Sequence, residues 1–242
     1  QALPAWLVVR QMLQKRPGAT PNDVEWYPAG EMLSWLTMLV AAMLLVATVA
    51  GLSGDHGSLS VLISDNLDRI LQAMAPDWDP AERSHMVDLM VPMFPGAIGI
   101  SWLIMTIFNA VMAQNLLIKL KKTIRPTPAY VDLQLPQWIS WPLVAACALA
   151  LLGAGEMEYT GRNLAIILAV PYFFLGLTVF HARAHRVSFT GTVLVFFYLM
   201  LVIWGWSALM VAGIGVIEQW TGLSRRMAGV DENEPPQSND ND

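Results

Sequence analysis

Asn109, Gln114 and Asn115 carry hydrogen-bonding side chains inside one of the long apolar stretches of this chain, on a segment that also holds Ser101 and Thr106. An amide left in hydrocarbon without a partner costs several kcal/mol. Such residues are therefore expected to face a bundle interior, either making interhelical hydrogen bonds or lining a polar cavity. Tyr172, which follows Pro171, offers an aromatic surface and a hydroxyl. With Asn109 and Gln114 it forms the candidate ligand site, a mostly apolar pocket between segments 101–115 and 163–180 that would orient a small molecule with a few polar groups. The alternative for Tyr172 is an interfacial anchor.

Other reactive residue types give less. His181 and His185 stand four apart, a spacing that puts two imidazoles on one helix face and could hold a metal. No neighbouring carboxylate or cysteine completes a ligand set, and Arg183 and Arg186 make the locality cationic. The stretch reads as a basic helix end at the phosphate interface. Cys147 is the single cysteine, which excludes an internal disulfide, and among Ala and Leu it reads as a small buried hydrophobe. No carboxylate lies mid-span, against an intramembrane relay of Asp or Glu. Glu156 and Glu158 fall in a short turn where solvation accounts for them. There is no Walker A loop, nucleophile elbow, zinc-protease motif or dinucleotide fingerprint, so neither an enzyme, a cofactor nor a nucleic-acid partner is expected.

The elements that must position these residues are membrane spans. The chain has 242 residues, 55% hydrophobic and only 14% charged, against roughly a quarter charged in soluble domains. The lipid bilayer is the expected surrounding. The net charge of −5 matches the five acids of the last stretch, Asp231, Glu232, Glu234, Asp240 and Asp242, so it says nothing about a partner. Residues 229–242 read as a disordered acidic tail, and 1–228 as one transmembrane helical domain. The opening residues, Ala2 to Val9, look like the end of an apolar helix, which suggests an N-terminal truncation.

The spacing predicts spans over 31–52, 87–120, 138–153 and 163–180. Pro92 and Pro95 should kink the second of these. Residues 59–74 repeat apolar side chains at three- and four-residue steps and predict an amphipathic helix. Asp79-Pro80-Ala81-Glu82 predicts the start of another helix. Gly96 and Gly99, and the stripe Ala146, Ala150 and Ala154, mark close helix approach, with an internal helix or another subunit as the partner. Bases cluster at 10–16, 119–125, 183–186 and 225–226, while Arg69, Arg83 and Arg162 share loops with acids. Placing every basic cluster in the cytoplasm requires two crossings between 189 and 222, hinged at Trp204-Gly205-Trp206. The expected fold is thus an all-α polytopic bundle of about six spans with an amphipathic outer-face helix. The expected location is a bacterial inner membrane, with a cytoplasmic C-terminus.

Four blocks carry a family resemblance: Glu25-Trp26-Tyr27-Pro28-Ala29-Gly30; Pro95-Gly96-Ala97 through Trp102 to Asn109 with Gln114-Asn115-Leu116; Pro171-Tyr172-Phe173-Phe174-Leu175-Gly176-Leu177 to His181-Ala182; and Gly215-Val216-Ile217-Glu218-Gln219-Trp220 before Arg225-Arg226. Together they resemble the YybS-like family of bacterial integral membrane proteins. That family is distantly similar to the S components of energy-coupling-factor transporters, which implies a helical bundle with a small-molecule cavity and a coupling ATPase as partner. Two functions stay open: a small-solute binding or transport component, and a non-transporting membrane scaffold or assembly protein. A polar-lined pocket favours the first, and a closed, normally packed interior the second.

Overall fold

The computed structural model describes Arg10 and residues 15–17, 24–53, 57–124, 133–184 and 189–222. Among them, a short antiparallel ribbon pairs Lys15–Pro17 (β1) with Val24–Trp26 (β2), and the rest is helices and their connections. The opening apolar residues, Asp55, His56, Arg125, His185, Arg186, Arg225, Arg226 and the acidic tail lie outside the described residues. The helices belong to two compact units, one ending at Pro171 and the other beginning at Tyr172.

In the first unit, α1 (Ala29–Ser53) has 25 residues, long and apolar enough to cross a bilayer. The expected amphipathic helix is α2 (Leu59–Met74), where Ser58 caps the start by accepting the Val61 N–H at 3.3 Å, and Leu59 and Leu67 are buried. Asp79 caps α3 (Pro80–Met90) by accepting the Ala81 N–H at 3.0 Å, as its sequence predicts. The prolines then act through backbone chemistry: Pro95 has no N–H to offer the Val91 carbonyl, which instead takes the Phe94 N–H in the 3-10 turn Val91–Met93. Helix α4 (Phe94–Lys119) follows. The run Pro80–Lys119 has 40 residues. At 1.5 Å each that is about 60 Å, twice the roughly 30 Å hydrocarbon core, so its charged beginning around Glu82, Arg83 and Asp88 must stand clear of the bilayer.

Helix α5 (Ser140–Leu152) enters through the 3-10 turn Gln137–Ile139. It turns at Gly153–Gly155, where Gly155 adopts φ 60, into α6 (Glu156–Leu168). The pair packs at backbone level: a methyl on Gly161 would sit 2.5 Å from the Ala150 nitrogen, and Ala146 is buried. Gly99 likewise faces Ile167 and Val40. Both small-residue sites expected from the sequence thus serve internal packing. Cys147 departs from expectation, since it is exposed on the far side of α5. Neighbours of a buried residue one position along a helix point about 100° away, and Ala146 takes the contact.

The second unit contains most of α7 (Val170–Ala184), then α8 (Thr190–Ile203) and α9 (Trp206–Thr221). Its core gathers Leu177, Phe197 and Val211, with Phe173, Phe180 and Leu201 against them. The Phe180 and Phe197 rings stack at 3.7 Å. The break falls at Trp204-Gly205, as expected, and Ser207 Oγ donates to the Trp204 and Met200 carbonyls at 2.6 and 3.0 Å.

The span count is borne out in part. Three described helical runs are long and apolar enough to cross, 29–53, 80–119 and 156–184, or four if the bent pair is one span. The helix over 137–152 is shorter, and α8 and α9 meet at a bend of 117°. With 14 and 16 residues, α8 and α9 rise only about 21 and 24 Å, short of the core. A bent pair that returns toward its starting side also satisfies the alternation of basic loops, which two full crossings were invoked to explain. In a Cys147→Ala background, Asp77→Cys is expected to react with a membrane-impermeant maleimide on one side, Lys121→Cys only on the other, and Gly205→Cys on neither. Reaction of Asp77→Cys and Lys121→Cys from the same side would break this topology.

Candidate functional site

The polar chemistry of the first unit concentrates at the end where α6 begins. Asn163 is fully buried on α6. Its Oδ1 accepts the Gly96 N–H at 2.8 Å, and its Nδ2 donates to the Pro92 carbonyl at 3.0 Å and the Tyr159 carbonyl at 2.8 Å. In an unbroken helix the Gly96 N–H and the Pro92 carbonyl would pair with each other. Here a carboxamide from another helix stands between them and satisfies both, which matters because unpaired backbone groups in hydrocarbon are costly. Gly96 makes room: a Cβ there would lie 3.0 Å from Asn163 Oδ1 and from Ile166 Cγ2.

About two turns earlier, Glu156 grips the start of α2. Its Oε1 accepts the Leu59 and Ser60 N–H groups at 3.0 and 3.3 Å, and its Oε2 accepts the Ser60 hydroxyl at 2.7 Å. A carboxylate at a helix N-terminus meets both free donors and the positive end of the dipole. Glu156 is therefore a tether rather than a merely solvated turn residue. Gly51 brings α1 to the same place, because a Cβ on it would lie 2.9 Å from the Leu59 nitrogen. Nearby, the Thr48 and Thr160 hydroxyls meet at 3.3 Å, and Arg83 donates to Asp68 at 2.7 Å between α3 and α2. Thr160 is buried in this contact. The Tyr159 hydroxyl is buried with no hydrogen-bond partner among the described residues.

The residues singled out by sequence are distributed otherwise. Asn109 and Asn115 stand exposed on α4 rather than turned inward, and Gln114 is half-buried with a polar contact of its own. The reason is that α4 is packed through its beginning, at Gly96, Gly99 and Leu103, so its second half has no helix to turn those amides toward within its unit. Tyr172 belongs to the second unit and is fully buried. A Cβ on Gly215 would fall on the Tyr172 carbonyl, and one on Gly176 on the Val211 carbonyl, so α7 and α9 touch through their backbones where Tyr172 sits. The three candidate residues are thus not gathered within either unit. His181 is engaged locally, its Nδ1 at 2.8 Å from the Leu177 carbonyl and its Nε2 at 3.1 Å from the Tyr198 hydroxyl. Among the described residues no cluster of His, Cys, Asp and Glu could hold a metal. Sequence reading passed over Asn163, although Pro92 and Pro95 signalled stranded backbone groups that an amide elsewhere would have to meet.

Apolar helices of membrane-spanning length, polar groups consumed at one end and large hydrophobic side chains exposed along α1, α4, α8 and α9 define an all-helical integral membrane protein in contact with the lipid bilayer. The chain belongs to the family described as Predicted membrane protein (DUF2232), whose model matches residues 33–218. No curated protein and no solved structure matches it.

Two outcomes follow for stability. Asn163→Leu strands the Pro92 carbonyl and the Gly96 N–H and is expected to cost about 2–4 kcal/mol, read as a lowered melting temperature, whereas Asn109→Leu on the exposed face leaves that temperature nearly unchanged. Equal losses in the two variants would remove the distinction. Glu156→Ala should accelerate amide exchange at Leu59 and Ser60 by roughly tenfold, the equivalent of one lost charge-assisted hydrogen bond. Unchanged exchange there would show that the tether does not hold α2.

Proposed function

We propose that this protein is a membrane assembly or scaffold component rather than a carrier of small solutes. One observation carries the reading: buried polar side chains are largely used within the chain, while amide capacity lies on the exposed face of α4. Ser34, Thr37 and Thr48 donate to the carbonyls four residues back at 2.8, 2.9 and 3.0 Å, and Asn163 makes three hydrogen bonds. Tyr172, expected in a pocket wall, is fully buried where its backbone carbonyl meets Gly215. No catalytic arrangement underlies this reading, and it assigns the protein no enzymatic role. It places the chain in a bacterial inner membrane with the basic loops and the C-terminus in the cytoplasm.

The second reading is a solute-binding component similar to transporter S components, served by a coupling ATPase and related to the YybS-like proteins. Its support is the buried Tyr159 hydroxyl without a partner among the described residues. A ligand group accepting or donating there would meet an unsatisfied need.

Full-length protein extracted from its native membrane in a mild detergent separates the two. The assembly reading expects a species larger than one chain with its detergent belt, and no thermal stabilisation by pools of small solutes. A strictly monomeric protein stabilised by a solute, with that stabilisation lost in Tyr159→Phe, would overturn it in favour of the carrier.

A further inference from the structure

Glu156 and Tyr159 stand three residues apart on α6, and the two are satisfied unequally. The Glu156 carboxylate takes three donors at the start of α2, the Leu59 and Ser60 N–H groups and the Ser60 hydroxyl. Tyr159 is 8% exposed, and its buried hydroxyl has no hydrogen-bond partner among the described residues. A long side chain on a helix leans back over the preceding turn, which for Tyr159 is the turn of Glu156. The Glu156 carboxylate is within electrostatic reach of that hydroxyl. A phenol and a carboxylate make a strong, charge-assisted hydrogen bond, and a buried donor left unpaired is unfavourable. Glu156 thus has two possible occupations and follows one of them.

What Glu156 holds is one end of an arm. Helices α2 and α3 pack on each other, with Leu67 and Val87 buried and Arg83 donating to Asp68 at 2.7 Å. Within the first unit, α3 packs on α2 and on the turn Val91–Met93. That turn is three residues of 3-10 helix between two α-helices, the form a hinge takes within a helical run. Asn163 anchors its far side through the Pro92 carbonyl and the Gly96 N–H, so a bend falls at Val91. The arm over 58–90 therefore meets α6 at two places, the grip of Glu156 and the hinge beside Asn163. Helix α1 joins it next to the grip, where Gly51 approaches Leu59.

We infer that Glu156 is a two-position latch: it grips the start of α2 in the arrangement described, and in a second it accepts the Tyr159 hydroxyl and lets the α2 and α3 arm turn about Val91–Met93. Release strands little. Ser58 Oγ still caps α2 through the Val61 N–H and lies 3.0 Å from Ser60 Oγ, while the Leu59 and Ser60 N–H groups pass to water. Each arrangement leaves unmet a requirement that the other meets, which keeps the two close in free energy and makes the element bistable. The switch needs no second molecule, so it stands apart from both readings of function.

The test uses the full chain with Cys147→Ala, reconstituted in bilayers of phosphatidylethanolamine and phosphatidylglycerol. Nitroxide labels on Met74→Cys, at the far end of α2, and Leu152→Cys, at the end of α5, give the arm's position by pulsed electron resonance; the native side chains there are 78% and 86% exposed. Amide exchange at Leu59 and Ser60 reads the same ratio where the released fraction is too small for the labels. Glu156→Ala should raise the ratio of released to latched arm about tenfold, and Tyr159→Phe, which deletes the competing donor, should lower it about tenfold, each the effect of one hydrogen bond to a charged group. Ser60→Ala, which weakens the grip from the α2 side, should move the ratio with Glu156→Ala and stands in for it if that variant does not fold. The double variant Glu156→Ala, Tyr159→Phe should behave as Glu156→Ala alone, because Tyr159 acts through Glu156. A tyrosine that is only packed would leave distances and exchange unchanged in Tyr159→Phe, and that result would overturn the inference. So would a Tyr159→Phe variant that releases the arm, or one unmoved arm position with unmoved exchange in the parent and every variant.

Discussion

The first unit depends on one carboxamide. Pro92 and Pro95 remove two backbone donors from the beginning of α4, and in a bilayer no water can replace them. Asn163 resolves the break with a single side chain, which is possible because a carboxamide presents an acceptor and two donors in one plane and because Gly96 has no Cβ to keep α6 away. The same contact fixes the register of α6 against α4. Once Asn163 is set, Glu156 about two turns earlier reaches the start of α2, Thr160 meets Thr48 of α1, and Ile167 fills the space at Gly99. Three helices are thereby indexed to one.

This explains which parts of the molecule were legible in the chain. Elements defined by local chemistry were: the apolar run of α1, the three-and-four periodicity of α2, the Asp79 cap, the glycines at close approach and the break at Trp204-Gly205. What decided the candidate site was not local. Whether Asn109 or Asn163 is the buried amide depends on which part of α4 finds a helix to pack on, and nothing in a run of apolar residues records that. Glu156 looked solvated for the same reason, since its partners, Leu59 and Ser60, lie nearly a hundred residues earlier. The span count was legible only in part, for a different reason. Charge alternation constrains only whether a segment ends on the side where it began, and a bent pair meets that condition as well as two crossings.

The second unit is built by a different means. Its helices touch through backbone, at Gly176 with Val211 and Gly215 with Tyr172, and around this seam Phe180 and Phe197 stack. Close backbone approach lets weak Cα–H contacts and dispersion replace the hydrophobic drive that lipid does not provide. Tyr172, fully buried, contributes its backbone carbonyl to this seam.

These two solutions leave a common remainder. A helical membrane protein must satisfy its polar groups in hydrocarbon either within itself or against a neighbour, since lipid tails offer neither donors nor acceptors. In the first unit Asn163, Ser34, Thr37, Thr48 and Thr160 find partners inside. Asn109 stands exposed in the second half of α4, beyond the part that packs within its unit. Replacing it by leucine would be the simpler solution for a chain meant to stand alone in lipid, because an exposed leucine costs nothing there while an exposed amide does. An asparagine there carries a hydrogen-bonding requirement that a leucine at the same position would not.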